Sequence, residues 1–96
     1  MKKLFKSIDD KLKEIGFNKI KEDKNRVEYE RYISDFDYTQ VLSINYKISG
    51  KHLIQSYDKD LCDDKYIGNV GVGLTYDETK LILKKMKQWK RKYGIR

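Results

Sequence analysis

The chain has 96 residues, of which 39% are hydrophobic and 39% are charged, and its formal net charge is +7. This length corresponds to a single domain, residues 1–96, with one modest hydrophobic core. The sequence contains neither the ~18-residue apolar run of a membrane span nor a signal-peptide pattern, so we expect a cytoplasmic protein without a membrane partner. The single cysteine, Cys62, excludes an internal disulfide and a multi-cysteine metal site.

The first predicted element is a helix from Lys2 to Ile15. Its apolar residues recur at helical spacing along one side: Leu4, Phe5, Ile8, Leu12 and Ile15. Gly16 is expected to end this helix, because glycine tolerates the left-handed conformation of a C-terminal cap. Two strands are predicted next, Phe17–Glu22 and Arg26–Ile33, with a polar turn between them.

The third predicted strand, Tyr38–Ser49, has the clearest alternation of apolar and polar residues. Its apolar face is expected to hold the following side chains: Tyr38, Leu42, Ile44, Tyr46 and Ile48. A turn around Gly50 then leads into a fourth strand, Lys51–Tyr57, and an acidic loop, Asp58–Lys65. Residues Asn69–Val72 form either a fifth short strand or a connection.

The last predicted element is a helix from Tyr76 to Tyr93. Thr75 followed by Glu78 is a capping box, in which each side chain accepts a hydrogen bond from the other residue's backbone N–H. One side of the helix is apolar: Ile82, Met86, Trp89 and Tyr93. The opposite side is basic: Lys80, Lys84, Lys87 and Arg91. Residues 74–96 hold eight basic and two acidic residues, so this segment carries nearly all of the net charge.

This element order predicts a two-layer α+β domain. An amphipathic helix, an antiparallel meander of four or five strands and a second amphipathic helix follow one another along the chain. Because the sheet has one convincingly apolar face, we expect both helices to pack on that face.

The basic side of the last helix has two interpretations. Lysines at helical spacing can follow a row of phosphates or meet an acidic protein surface. Alternatively, acidic residues at the start of a helix and basic residues at its end stabilise the helix dipole, and a solvated lysine face needs no partner. The sequence leaves both interpretations open.

Tyrosine is abundant, with eight copies in the chain. Tyrosine suits binding surfaces because it combines a large rigid contact area with one polar tip. It is equally suited to half-buried positions in strands. The candidates for surface contacts are Tyr32 and Tyr57, whose strand faces are polar, and Tyr66, which lies in a predicted loop.

No motif for catalysis, metal or cofactor is present. The acidic segment after Tyr57 resembles a calcium loop, but Asp63 and Asn69 occupy the positions that require glycine and glutamate. His52 and Cys62 have no spacing that would pair them as base and nucleophile. The glycines between residues 68 and 73 match neither phosphate-loop pattern. We therefore expect a protein that is not an enzyme and uses no cofactor.

Two resemblances bear on function. The order helix, antiparallel sheet, helix resembles the topology of double-stranded RNA-binding domains, although Asp77 and Glu78 begin the second helix here, where that family places lysines. More of the chain is similar to small uncharacterised accessory proteins of Gram-positive phages, prophages and pathogenicity islands. That second resemblance rests on four stretches: Ile15-Gly16-Phe17, Tyr38-Thr39-Gln40-Val41, residues 49–57 (SGKHLIQSY) and residues 73–78 (GLTYDE).

The second resemblance implies a small protein that binds and redirects a host or defence machine. The first functional hypothesis is therefore a non-enzymatic accessory protein that binds and modulates or inhibits a larger host or defence protein assembly. Its contacts would be the basic helix side and the three tyrosines. The alternative is direct binding of nucleic acid through the basic C-terminal helix. Either protein would act as a monomer or a homodimer.

Overall fold

Three helices and four strands make up the part of the chain that the computed structural model describes, residues 6–62 and 71–95 without the side chains of Leu61 and Cys62. In chain order they are α1 (Ile8–Glu14), β1 (Asn18–Glu22), β2 (Arg26–Ile33), β3 (Tyr38–Asn45), β4 (Leu53–Asp58), α2 (Lys59–Cys62) and α3 (Tyr76–Lys92). The predicted α+β class and helix–meander–helix order are confirmed. Among the described residues, no helix is long and apolar enough to cross a membrane.

The four strands form one antiparallel sheet in the order β1-β2-β3-β4. β2 and β3 pair without interruption, from Arg26 opposite Asn45 to Ile33 opposite Tyr38. The pairing of β1 with β2 shifts between Lys19 and Lys21, so that this edge strand carries a bulge. The meander therefore places sequence neighbours side by side throughout the sheet.

Both long helices pack on the same face of the sheet, as predicted. Alternate residues of the two central strands point toward the helices, and Leu12 of α1 and Ile82 and Trp89 of α3 meet them. The buried core is formed by Leu12, Phe17, Val27, Tyr29, Leu42, Ile44, Ile82 and Trp89. Removing these side chains from water is the main source of stability for a domain of this size.

Helix α1 begins later than predicted. Ser7 is its N-cap, because Ser7 Oγ accepts a hydrogen bond from the Asp10 backbone at 3.0 Å and Asp10 accepts one from the Ser7 backbone at 3.3 Å. The prediction of helix at Lys6 and Ser7 was therefore wrong, and Lys2–Phe5 lie outside the described residues. Gly16, at φ +98°, ends the helix as expected, and a Cβ there would lie 3.0 Å from the Arg31 side chain.

Helix α3 agrees with its prediction to within one residue. Thr75 Oγ1 accepts a hydrogen bond from the Glu78 backbone at 3.1 Å, and Glu78 Oε1 accepts one from the Thr75 backbone at 2.9 Å. The capping box is thus confirmed. The helix ends at Lys92, one residue before the predicted end, and Gly94 follows in the left-handed conformation at φ +63°.

Strand β3 ends four residues earlier than predicted, at Asn45. The Tyr46 N–H donates to Asn25 of the β1–β2 turn, and the chain then turns away from the sheet. Ile48, expected on the apolar face, is consequently 94% exposed. The period-two alternation of apolar residues continues into this turn. The strand was therefore predicted too long, because alternation alone does not mark where strand pairing ends.

The segment after β4 differs from the prediction in two respects. Of the predicted acidic loop Asp58–Lys65, Asp58 belongs to β4 and Lys59–Cys62 form the short helix α2, while residues 63–65 lie outside the described part of the chain. Of the predicted fifth strand, Gly71 forms a single bridge with Tyr57, and the Val72 N–H donates to Ser56 at 2.9 Å. The described residues 71 and 72 thus form a connection along the edge of β4.

Candidate functional site

The four basic residues predicted as a contact stripe lie together on the solvent side of α3. Lys80, Lys84, Lys87 and Arg91 are all exposed, opposite the buried Ile82 and Trp89. Within residues 6–62 and 71–95, none of Lys84, Lys87 and Arg91 has an ion-pair partner. Lys80 lies over the ring of Tyr76, with 5.3 Å from Nζ to the ring centroid. The positive charge of this stripe is therefore largely free to attract an anionic partner.

Two large apolar side chains accompany the basic stripe. Tyr76 is 76% exposed and Leu83 is 47% exposed. Lys80 follows Tyr76 by four residues and Lys87 follows Leu83 by four, so each pair lies on the same side of the helix. We call this surface the α3 outer face, formed by Tyr76, Lys80, Leu83, Lys84, Lys87 and Arg91. It combines charge with apolar contact area, which a purely solvating lysine face lacks.

Lys85 is the basic residue of α3 that does not belong to the outer face. Its side chain is 3% exposed and points toward the sheet. Lys85 Nζ lies 2.7 Å from Glu22 Oε1 and 3.2 Å from Asp9 Oδ1, and it donates to Gln88 Oε1 at 3.0 Å. Three donors thus meet three acceptors, which is the condition under which a buried ammonium group is tolerated.

The carboxylates around Lys85 bind further cations and a tyrosine. Glu22 accepts from Lys19 at 3.2 Å and from Lys92 at 2.9 Å, while Asp9 accepts from Lys19 at 2.9 Å. The Tyr29 hydroxyl donates to Asp9 at 2.5 Å. We call Lys85, Asp9, Glu22 and Lys19 the Lys85 cluster. It joins α1, β1 and α3, and we therefore interpret it as structural.

The pKa values of the two carboxyl groups reflect these contacts. Burial by itself would raise the pKa of Glu22, but hydrogen bonds from Lys85, Lys92 and Lys19 outweigh it and lower the pKa to about 2. Burial is likewise outweighed at Asp9, where Tyr29 and Lys19 hold the pKa below its ordinary value. Burial and the bond to Asp9 raise the pKa of Tyr29, so its hydroxyl remains a donor at neutral pH.

The Glu22 contacts predict a pH dependence of stability. Because the pKa of Glu22 is lower in the folded protein than its ordinary value of 4.5, its contribution is complete above about pH 4.5 and is lost as the pH falls toward 2. We expect the difference in unfolding free energy between wild type and Glu22→Gln to shrink across that interval, measured by urea denaturation. Glu14→Gln, which alters an exposed carboxylate of α1, is the control and should have a small effect throughout. A Glu22→Gln difference that stays constant from pH 6 to pH 2 would contradict this assignment.

A second, partly buried ion pair positions the start of α3. Arg31 Nη1 lies 2.7 Å from Glu78 Oε2, and its guanidinium also donates to Gln40 Oε1 at 2.7 Å. The same guanidinium lies over the Phe17 ring at 4.1 Å from the centroid. Burial would raise the pKa of Glu78, but the Thr75 backbone and Arg31 lower it. Sequence reasoning assigned Glu78 to the capping box and gave Arg31 no role, because nothing local indicates a pairing 47 residues apart.

The three predicted contact tyrosines do not join the α3 outer face. Tyr32 pairs with Thr39 and Tyr57 pairs with Val41, which places both tyrosines on the sheet face that points away from α1 and α3. Tyr32 is 60% exposed, and its hydroxyl donates to Asp37 at 2.6 Å. Tyr57 is half-buried, and Tyr66 lies outside the described residues. Tyr32 and Tyr57 therefore lie on a different surface from the α3 outer face, and their role as contacts stays a prediction.

The remaining candidate residues are His52 and Cys62, which were considered as a base and a nucleophile. His52 stacks on Tyr46 at 5.3 Å between ring centroids, meets the edge of Trp89 at 5.6 Å, and accepts a hydrogen bond from the Lys47 backbone. The side chain of Cys62 lies outside the described part of the structure. Within that part, no group of three or more His, Cys, Asp or Glu side chains could hold a metal ion.

Comparison with known proteins yields no match: neither a protein-family model, nor a curated protein, nor a solved structure is detectably similar to this chain. The fold and surface together define a small two-layer α+β domain with a basic, partly apolar helix face. The functional argument accordingly depends on the residues of that face.

Proposed function

We propose that this protein is a non-enzymatic accessory protein of a phage or other mobile element, acting in the cytoplasm. It binds a larger host or defence protein assembly and modulates or inhibits it. The α3 outer face is its contact surface. The observation that carries the proposal is the combination of two features on one exposed helix face: basic side chains without an ion-pair partner among the described residues, and the exposed Tyr76 and Leu83.

The composition of this face favours a protein partner. Tyrosine and arginine are enriched in protein interfaces while lysine is depleted, so Tyr76 and Arg91 favour a protein partner and the lysines suit the polar rim of such an interface. Tyr76 and Leu83 would provide apolar contact, while Lys80, Lys84 and Lys87 would meet acidic side chains. The partner surface is therefore expected to be acidic with apolar positions between its carboxylates.

Direct binding of nucleic acid is the second candidate function, supported by the spacing of the same basic residues. Lys80, Lys84, Lys87 and Arg91 are exposed on consecutive turns and could neutralise successive phosphates. Asp77, which is exposed in the first turn of the same helix, would repel phosphate and an acidic protein surface alike, so it does not separate the two candidates. Against nucleic acid, Leu83 would gain little from a phosphate backbone.

A charge-reversal variant tests the proposal. Lys84→Glu/Lys87→Glu is expected to fold normally, because both side chains are exposed and unpaired among the described residues, yet to lose the partner captured from host lysate by the wild-type protein. The lysate is treated with nuclease beforehand so that nucleic acid cannot bridge the two proteins. The matched control, Lys11→Glu/Lys13→Glu on α1, makes the same change in net charge and should retain the partner.

Fluorescence anisotropy with duplex and single-stranded DNA and RNA separates the two functions. Binding that weakens with salt at a log–log slope of about −0.9 per phosphate contacted, and that disappears in Lys84→Glu/Lys87→Glu, would establish the nucleic-acid function instead. A partner retained equally by the variant and the wild type would refute the assignment of the α3 outer face.

A further inference from the structure

A cleft lies at the end of the molecule where the β1–β2 turn, the β3–β4 turn and the end of α3 meet. Its volume is about 740 Å³, which is within the range of ~300–1,000 Å³ found for ligand pockets. The lining is mixed, and its apolar part is formed by Tyr46, Ile48, Tyr93 and Ile95. None of these residues belongs to the α3 outer face, so the cleft is a separate candidate site.

The walls of this cleft are held in place by the surrounding structure. Tyr46 stacks on His52 with an interplanar angle of 27°, and its backbone N–H donates to Asn25 at 2.9 Å. The Tyr93 hydroxyl donates to Glu22 at 3.3 Å, which fixes the opposite wall to the sheet. A preformed cleft of this kind binds with a smaller loss of conformational entropy than a mobile surface.

The charge of the cleft has a single sign. Every lining residue that is charged at neutral pH is a lysine: Lys24, Lys47 and Lys51. None of the three has an ion-pair partner among the residues that the structure describes. Ile48, which is 94% exposed, stands between Lys47 and Lys51 in sequence and brings apolar surface to the same rim. The complementary ligand therefore carries carboxylates and bulky apolar side chains in close succession.

We propose that this cleft binds an acidic peptide segment of a partner protein, in which carboxylates alternate with bulky apolar side chains. The lysines at the rim pair with the carboxylates, and the apolar side chains enter between Tyr46, Tyr93 and Ile95. This site does not depend on the function proposed for the α3 outer face.

A peptide fits the cleft better than a nucleic acid does. Gly94 and Ile95 lie at the C-terminal end of α3, where the partial negative charge of the helix dipole disfavours an unbroken row of phosphates. A peptide can place an apolar side chain there. One face of each tyrosine ring is also already engaged, Tyr46 by His52 and Tyr93 by the Lys92 ammonium at 5.3 Å, which limits base stacking.

The test uses the full chain and a fluorescein-labelled heptapeptide of alternating acidic and Leu or Phe residues. We expect saturable binding by anisotropy, with amide NMR shift changes at Asn25, Tyr46–Lys51 and Gly94–Ile95. Lys47→Glu/Lys51→Glu should weaken binding by at least about tenfold, since two attractive contacts become repulsive. Lys11→Glu/Lys13→Glu, with the same change in net charge, should bind like the wild type.

Two further peptides show whether binding needs both the carboxylates and the bulky apolar side chains. Peptides with Asn and Gln in place of the acids, or Ser in place of Leu and Phe, should each bind markedly more weakly. The proposal is overturned by the absence of saturable binding at millimolar peptide, by equal binding to Lys47→Glu/Lys51→Glu, or by shift changes confined to the α3 outer face. Tighter binding of a single-stranded oligonucleotide at the same cleft would also overturn it. All of these outcomes leave the α3 charge-reversal test unaffected.

Discussion

Replacing Lys85 by Met is expected to destabilise the protein by about 3–5 kcal/mol, which is the usual cost of removing one partner from a buried ion pair. The change removes the 2.7 Å partner of Glu22, whose side chain is 6% exposed, and the 3.2 Å contact of Asp9. Because Lys92 and Lys19 still compensate these carboxylates, we expect the lower end of this range. Since small domains are stable by only about 5–15 kcal/mol, the loss is a large fraction of the total. Urea denaturation followed by circular dichroism measures it.

The neighbouring lysine provides a matched control. Lys84 is exposed and has no ion-pair partner within the described ranges, so Lys84→Met should change stability by no more than about 0.5 kcal/mol. Adding Glu22→Leu to Lys85→Met should recover part of the loss, because the buried carboxylate is then removed together with its partner. Equal stabilities for Lys85→Met and Lys84→Met would show that the Lys85 cluster does not hold α3 in place.

Trp89→Ala is the second substitution with a large expected effect, again about 3–5 kcal/mol. Trp89 is fully buried, and its indole Nε1 donates to the Asp23 carbonyl at 2.8 Å. Its loss would leave a cavity between α3 and the sheet and an unpaired carbonyl in the β1–β2 turn. Far-UV circular dichroism is the required measurement, because Trp89 is the only tryptophan of the chain and its fluorescence disappears with it.

Two further variants, Trp89→Phe and Leu83→Ala, separate the contributions of the Trp89 ring and its hydrogen bond to the free energy of unfolding. Trp89→Phe keeps an aromatic ring but loses the donor, so its cost should be smaller, about 1–3 kcal/mol. Leu83→Ala shortens a half-exposed side chain of the same helix and should cost less than either substitution of Trp89. A Trp89→Ala protein as stable as Trp89→Phe would contradict this prediction. It would mean that neighbouring core side chains fill the cavity left by the indole without a loss of stability.

The sequence predicted the elements whose signals are local. The Thr75–Glu78 capping box and the spacing of Ile82 and Trp89 were sufficient to place α3 to within one residue, because capping and amphipathic periodicity act over a few residues. The basic stripe of α3 was likewise predicted, since residues three and four apart share a helix side. The equivalent Ser7–Asp10 cap of α1 was missed although it was visible in the sequence.

Other features were outside the reach of local patterns. Ile48 continues the alternation of β3 but lies beyond the point where strand pairing ends. The sequence did not indicate where Tyr32 and Tyr57 lie relative to the basic helix, and strand register places both on the sheet face that points away from α3. Alternation of apolar and polar residues assigns side chains to the two faces of a strand. It does not show which face the helices cover, because that depends on how the whole chain packs.

Lys85 shows most clearly what the sequence determines and what only the tertiary structure determines. Composition and periodicity determined that this chain folds as an α+β domain and that its charge is concentrated on the last helix. Only the tertiary structure decided that one of those lysines is buried between Asp9 and Glu22 while its neighbours stay exposed. The physical reason is that capping and amphipathicity are set by residues adjacent in sequence, whereas burying a charge is tolerated only when distant segments bring compensating groups to it.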